Sequence, residues 1–78
     1  MITPEQCRAA RSLVRMSQSD LAKAAAVAKQ TLADFERGAR QPYDRTLRDI
    51  VQALEAAGVE LLPETAERGP GVCLRKER

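Results

Sequence analysis

Between Val27 and Pro42 the chain reads VAKQTLADFERGARQP, and its polar residues are of types that bind rather than react. On a helix turning about 100° per residue from Lys29, the residues Gln30, Ala33, Asp34 and Arg37 fall between about 40° and 140°. Thr31, Leu32 and Phe35 fall between about 200° and 300° on the same wheel. One side of the segment is a row of hydrogen-bonding groups and the other is apolar. Lysine reaches guanine acceptors or phosphate, and glutamine pairs bidentately with adenine, so the row suits a nucleic-acid surface. A solvated amphipathic helix sorts its residues in the same way, and the row alone does not separate the two readings.

Three further helices are predicted to hold this segment in place. Thr3-Pro4-Glu5-Gln6 is a helix start: Thr3 caps, Pro4 suits the first helical position and Gln6 completes a capping box. Ile2 can staple onto Cys7, and the helix runs to about Val14, burying Cys7, Ala10, Leu13 and Val14. Ser17 and Asp20 form a second start, with Met16 stapling onto Leu21. That helix is short, about Gln18 to Ala25, and turns Leu21, Ala22 and Ala25 inward. A turn at Ala26-Val27 leads to the third helix, Lys29 to about Arg37, stopped by Gly38 in a left-handed conformation. The fourth runs from about Asp44 to Ala57, with Leu47, Ile50, Val51 and Leu54 at helical spacing and Gly58 ending it. Two short helices joined by a tight turn make a helix-turn-helix unit. Beyond Gly58, VELLP and GVCLR alternate as short strands around the turn-rich ETAERGPG. An isolated hairpin is marginal in water, so this one needs a partner, either the helices or a second chain.

Composition narrows the chemistry. A chain of 78 residues makes one domain with a modest core, and domains near this limit often lean on dimerisation. Only Phe35 and Tyr43 are aromatic and alanine is abundant, which favours small, closely packed helices over a β-sandwich. The net charge of +2 is mild, so binding to nucleic acid must rest on local placement of charge. There is no histidine, which removes histidine acid–base chemistry and the Cys/His zinc finger together. No glycine-rich phosphate loop or paired nucleophile and base is present, so no enzyme, metal or cofactor is expected. Cys7 and Cys73 are expected to be a core residue and a strand residue, not a disulfide. No run approaches roughly 18 apolar residues and the start lacks a signal-peptide core, so the chain reads as a reduced, cytoplasmic protein.

The run MSQSDLAKAAAVAKQTLADFERGARQP resembles the Cro/repressor-type helix-turn-helix proteins, the XRE family. The matching pieces are SQSDLA opening the second helix, V-x-K-x-T-L entering the third, and FERGxRxP after it. The resemblance covers roughly Pro4 to Gly58 and includes TLRDIVQALEAAG as the closing helix. It implies a mainly α, compact four-helix, lambda-repressor-like domain over residues 1–58, with a short C-terminal β-hairpin or strand extension over 59–78. In such proteins the third helix enters the DNA major groove and the start of the second rests on the phosphate backbone. Lys29, Gln30 and Asp34 then match base-reading positions, Gln18 a phosphate-contacting one, and Arg37, Arg40 and Arg45 lie near the backbone. Asp34 either accepts from a cytosine amino group or serves only to solubilise the helix. The pattern also pairs Glu36 with a helix-one arginine, here Arg11, as a structural ion pair. Ala26 stands where the family usually has glycine, and Ala28 where it often has a serine or threonine cap. Arg8, Arg15 and Lys23 read as solvated charges.

The function expected is a sequence-specific, DNA-binding transcriptional regulator, a repressor that holds a palindromic operator as a homodimer. The alternative is an antitoxin or anti-activator that binds a protein partner, a toxin or an activator. Val59, Leu61, Val72 and Leu74 form one apolar strand face, expected to make the dimer, so that a chain ending at Gly58 stays folded as a monomer. The other outcome for this tail is that it folds back over the fourth helix or stays disordered. Arg75, Lys76 and Arg78 either touch phosphate or serve solubility.

Overall fold

The computed structural model describes residues 1–76 and places four helices before a two-stranded antiparallel sheet. The helices are α1 (Pro4–Val14), α2 (Gln18–Ala25), α3 (Lys29–Glu36) and α4 (Asp44–Ala56). The strands are β1 (Val59–Leu62) and β2 (Gly71–Leu74). Both predicted capping boxes form. Thr3 Oγ1 accepts from the Gln6 backbone at 3.1 Å while Gln6 Oε1 accepts from the Thr3 backbone at 2.9 Å. Ser17 and Asp20 exchange the equivalent bonds at 3.0 and 3.1 Å. These reciprocal pairs satisfy amides that a helix start otherwise leaves without acceptors.

Gly38 and Gly58 both adopt positive φ after the helices they follow. Two residues with side chains do the same: Arg15 caps α1 and Ala26 caps α2, each at φ 58°. The turn between α2 and α3 therefore keeps its left-handed geometry with alanine in the place of glycine. A left-handed residue bearing a Cβ costs about 1–2 kcal/mol. Ala28, the N-cap of α3, makes no side-chain bond to the helix start. Ala26→Gly and Ala28→Ser are each expected to stabilise the domain by roughly 1 kcal/mol, read as a rise in the urea midpoint. Unchanged or lower midpoints would mean that the turn is already relaxed by its neighbours.

The core gathers Cys7 and Ala10 of α1, Leu21, Ala22 and Ala25 of α2, Leu32 and Phe35 of α3, and Leu47, Ile50 and Leu54 of α4. Ile2 is buried with them, and Val14, Met16 and Val51 pack against them in part. Leu13 differs from expectation. It is 39 % exposed, because the last turn of α1 directs Val14 to the core and leaves Leu13 beyond the packed stripe.

The hairpin docks on the helices. β1 pairs with β2 in the register Val59↔Leu74, Glu60↔Cys73, Leu61↔Val72 and Leu62↔Gly71, which puts Val59, Leu61, Val72 and Leu74 on one face. That face packs inward: β1 lies on α1 and α4 and β2 on α1, Val59 is fully buried, and Leu61 and Val72 pack against the core. Only Leu74 of the four is left exposed, at 37 %. Gln6, a buried polar residue of α1, fastens the sheet from below, donating through Nε2 to the carbonyls of Leu62 at 3.2 Å and Gly71 at 3.0 Å. The tail thus folds back on the helices, the alternative to a dimer face that its sequence leaves open.

Candidate nucleic-acid interface

Helix α3 presents the polar row to solvent. Lys29, Gln30 and Arg37 are exposed, Ala33 and Asp34 are half-buried, and Leu32 and Phe35 fill the core behind them. What holds α3 at its angle is a second polar cluster on the helix's inner side. Glu36 is 2 % exposed and receives a bidentate grip from Arg11, with Nη2 to Oε1 and Nε to Oε2 both at 2.7 Å. Cys7 donates its thiol to Oε2 at 3.0 Å and Gln18 donates Nε2 to Oε1 at 2.9 Å. One carboxylate of α3 is therefore tied to two residues of α1 and one of α2. Arg11 also donates to the Met16 carbonyl at 3.1 Å, which fixes the turn between α1 and α2.

The electrostatics follow from that packing. Burial pushes the Glu36 carboxyl up, but the bonds from Arg11, Cys7 and Gln18 and the charge of Arg11 outweigh it and leave it below its ordinary value. The same bond raises Arg11, while burial and then Glu36 push the Cys7 thiol well up, so it stays protonated and donates. The expected ion pair between Arg11 and Glu36 is thus present, as the centre of a larger network.

Gln18 is the residue whose surroundings differ most from its assigned role. It stands at the first position of α2, but its amide turns in to Glu36, leaving at most one N–H for a phosphate. Arg8 is not a free charge either: its guanidinium donates to the Glu36 carbonyl at the end of α3. There a cation satisfies an open carbonyl and meets the negative end of the helix dipole. Arg8, Gln18, Ala33 and Arg37 line a shallow cleft between α1, α2 and α3 beside this cluster.

On the outer row, Gln30, Asp34 and Arg37 are joined through Asp34 Oδ1. The bonds from Gln30 and then Arg37, with the charges of Arg37 and Arg40, hold the Asp34 carboxyl below its ordinary value. Lys29, Arg40 and Arg45 have no ion-pair partner among the described residues. Arg40 lies in the loop after α3 and Arg45 in the first turn of α4. Tyr43, at the N-cap position of α4 two residues before Arg45, is 84 % exposed. Arg75 donates to the Glu55 carbonyl at the far end of α4, and Arg78 lies outside the described residues.

Among the described residues no group of His, Cys, Asp and Glu is placed to hold a metal ion, and no helix is long and apolar enough to cross a membrane. The short α2, the tight turn and α3 with its outward polar row are the geometry of a helix-turn-helix. The pattern of the family described as "Helix-turn-helix domain" matches residues 5–63, well over half of the chain, and the protein belongs to that family. Membership supports DNA binding, with a regulatory role, in a family that is typically non-enzymatic. No curated protein matches the chain.

Proposed function

We propose that the protein is a Cro/repressor-type transcriptional regulator that binds a palindromic operator as a homodimer and represses by occupying it. The observation that carries this is the row on α3, with Lys29 and Gln30 on the exposed first turn and Asp34 one turn on, held rigidly by the Glu36 cluster behind. In the groove, Lys29, Gln30 and Asp34 face base edges, and Lys29 also has phosphate within reach. Arg37, Arg40 and Arg45, with the remaining N–H of Gln18, lie along the phosphates. The dimer forms through the C-terminal hairpin. Val59, Leu61 and Val72 brace the sheet on the helices, and the contact falls to Leu74 and the free strand edges, whose unpaired backbone groups accept a second chain. The protein works in the cytoplasm and needs no cofactor.

Selection of bound sequences from random duplex DNA tests this reading, with the expected result a two-half-site sequence spaced by about one helical turn. If Lys29, Arg37, Arg40 and Arg45 neutralise about four phosphates per subunit, log affinity of the dimer falls with log salt at a slope of about −7. Gln30→Ala should relax preference at one base pair, by about 1–3 kcal/mol, whereas Arg40→Ala should weaken all sequences alike. A slope near zero, or equal losses on specific and random DNA for Gln30→Ala, would remove the assigned contacts. If Lys29→Ala and Gln30→Ala both leave DNA binding intact, the reading of α3 fails and an antitoxin or anti-activator role gains.

A further inference from the structure

The three polar residues of the outer row act as one unit. Gln30 Nε2 donates to Asp34 Oδ1 at 2.9 Å. Arg37 donates to the same oxygen through Nη2 at 2.9 Å and Nε at 3.3 Å. The spacings are i,i+4 and i,i+3, the two at which side chains on one helix meet. Asp34 Oδ2 receives no bond among the described residues.

A primary amide has two N–H donors and one carbonyl acceptor, and its two orientations differ in which end faces outward. With one N–H of Gln30 spent on Asp34, the orientation is fixed, and one N–H and the carbonyl Oε1 are left for a ligand. In the major groove adenine offers an acceptor at N7 beside a donor at N6, whereas guanine offers two acceptors, N7 and O6. The free half of Gln30 complements adenine. Against guanine it offers one donor and turns Oε1 towards the second acceptor, so the two oxygens repel.

The carboxylate has a second effect. It pairs with Arg37 and places a negative charge on a surface that faces phosphates, so it lowers affinity for any duplex whatever its sequence. We propose that Asp34 is a specificity-determining positioning residue: it holds Gln30 as a reader of adenine against guanine and restrains Arg37 from indiscriminate phosphate binding. This rests on the reading of α3 as the base-reading helix.

The test uses the full chain, its selected duplex with adenine opposite Gln30, the same duplex with guanine there, and a random duplex. Asp34→Ala should lose an adenine-over-guanine preference on the order of tenfold while binding random DNA as well as the parent or better. Asp34→Asn keeps an acceptor for Gln30 without the charge, so it should retain the preference and gain on random DNA. A residue that merely steadied α3 would, when removed, weaken all three duplexes together. That result, or a preference unchanged in Asp34→Ala, would overturn the proposal. Gln30→Ala separates the two levels. If it abolishes the preference and Asp34→Ala does not, Asp34 alone loses its role; if it leaves the preference intact, the base-reading assignment fails and this proposal with it.

Discussion

Glu36→Ala should cost the domain about 3–5 kcal/mol, the range found when one member of a buried ion pair is removed. The loss is large because the substitution orphans more than Arg11. The Cys7 thiol and the Gln18 amide lose their acceptor too, and α3 loses its ties to both preceding helices at once. Against a total stability of about 5–15 kcal/mol for a small domain, the folded population at 37 °C would fall sharply. Urea unfolding followed by circular dichroism measures it. Glu36→Gln keeps the shape and one acceptor and should lose less.

The same carboxyl makes the fold sensitive to acid. Its folded-state value lies below the ordinary 4.5, so its contribution is fully present above about pH 4.5 and is lost as pH falls through the lower folded value. Stability plotted against pH should therefore fall in that acid window, and less steeply in Glu36→Gln. A Glu36→Gln chain as stable as the parent at pH 7 would mean that the network is held by packing and not by the charge.

Ending the chain at Gly58 is the second large perturbation, because it removes a hairpin that is docked on the helices. Val59 is wholly buried and Leu61 and Val72 are partly so, a burial worth about 3–6 kcal/mol together. Without them α1 and α4 lose their cover, and Gln6 loses two backbone acceptors. The shortened chain should lose its sharp thermal transition. Truncation also returns the ordering entropy of the tail, so Val59→Ala, at about 2–3 kcal/mol, is the cleaner measure. A shortened chain that melts cooperatively within a few degrees of the full one would show that the four helices suffice.

What was legible in the sequence follows from the range of each interaction. Thr3 with Gln6, Ser17 with Asp20, and the stop at Gly38 depend on neighbours within a few residues, and all appear in the structure. The core stripe of α4 follows from spacing alone. Gln6 bonds to residues 56 and 65 positions away, and Gln18 turns to a carboxylate 18 positions on; no local pattern marks either. Arg8 reaches the end of α3 for the same reason. The Gln30–Asp34–Arg37 unit was the exception. Its spacings are local and readable, but a helical wheel shows only that the three side chains share a face and not that they bond to one another.

Gln6 also bears on the order in which the chain can be completed. Its backbone amide is capped by Thr3 as soon as the first helical turn exists, but its side-chain acceptors lie at residues 62 and 71. During synthesis the helices can emerge and collapse in turn, while the Gln6 side-chain amide stays on water until both strands have left the ribosome. The contacts span 56 and 65 residues, which makes them late ones. The first helix is finished only by the two strands.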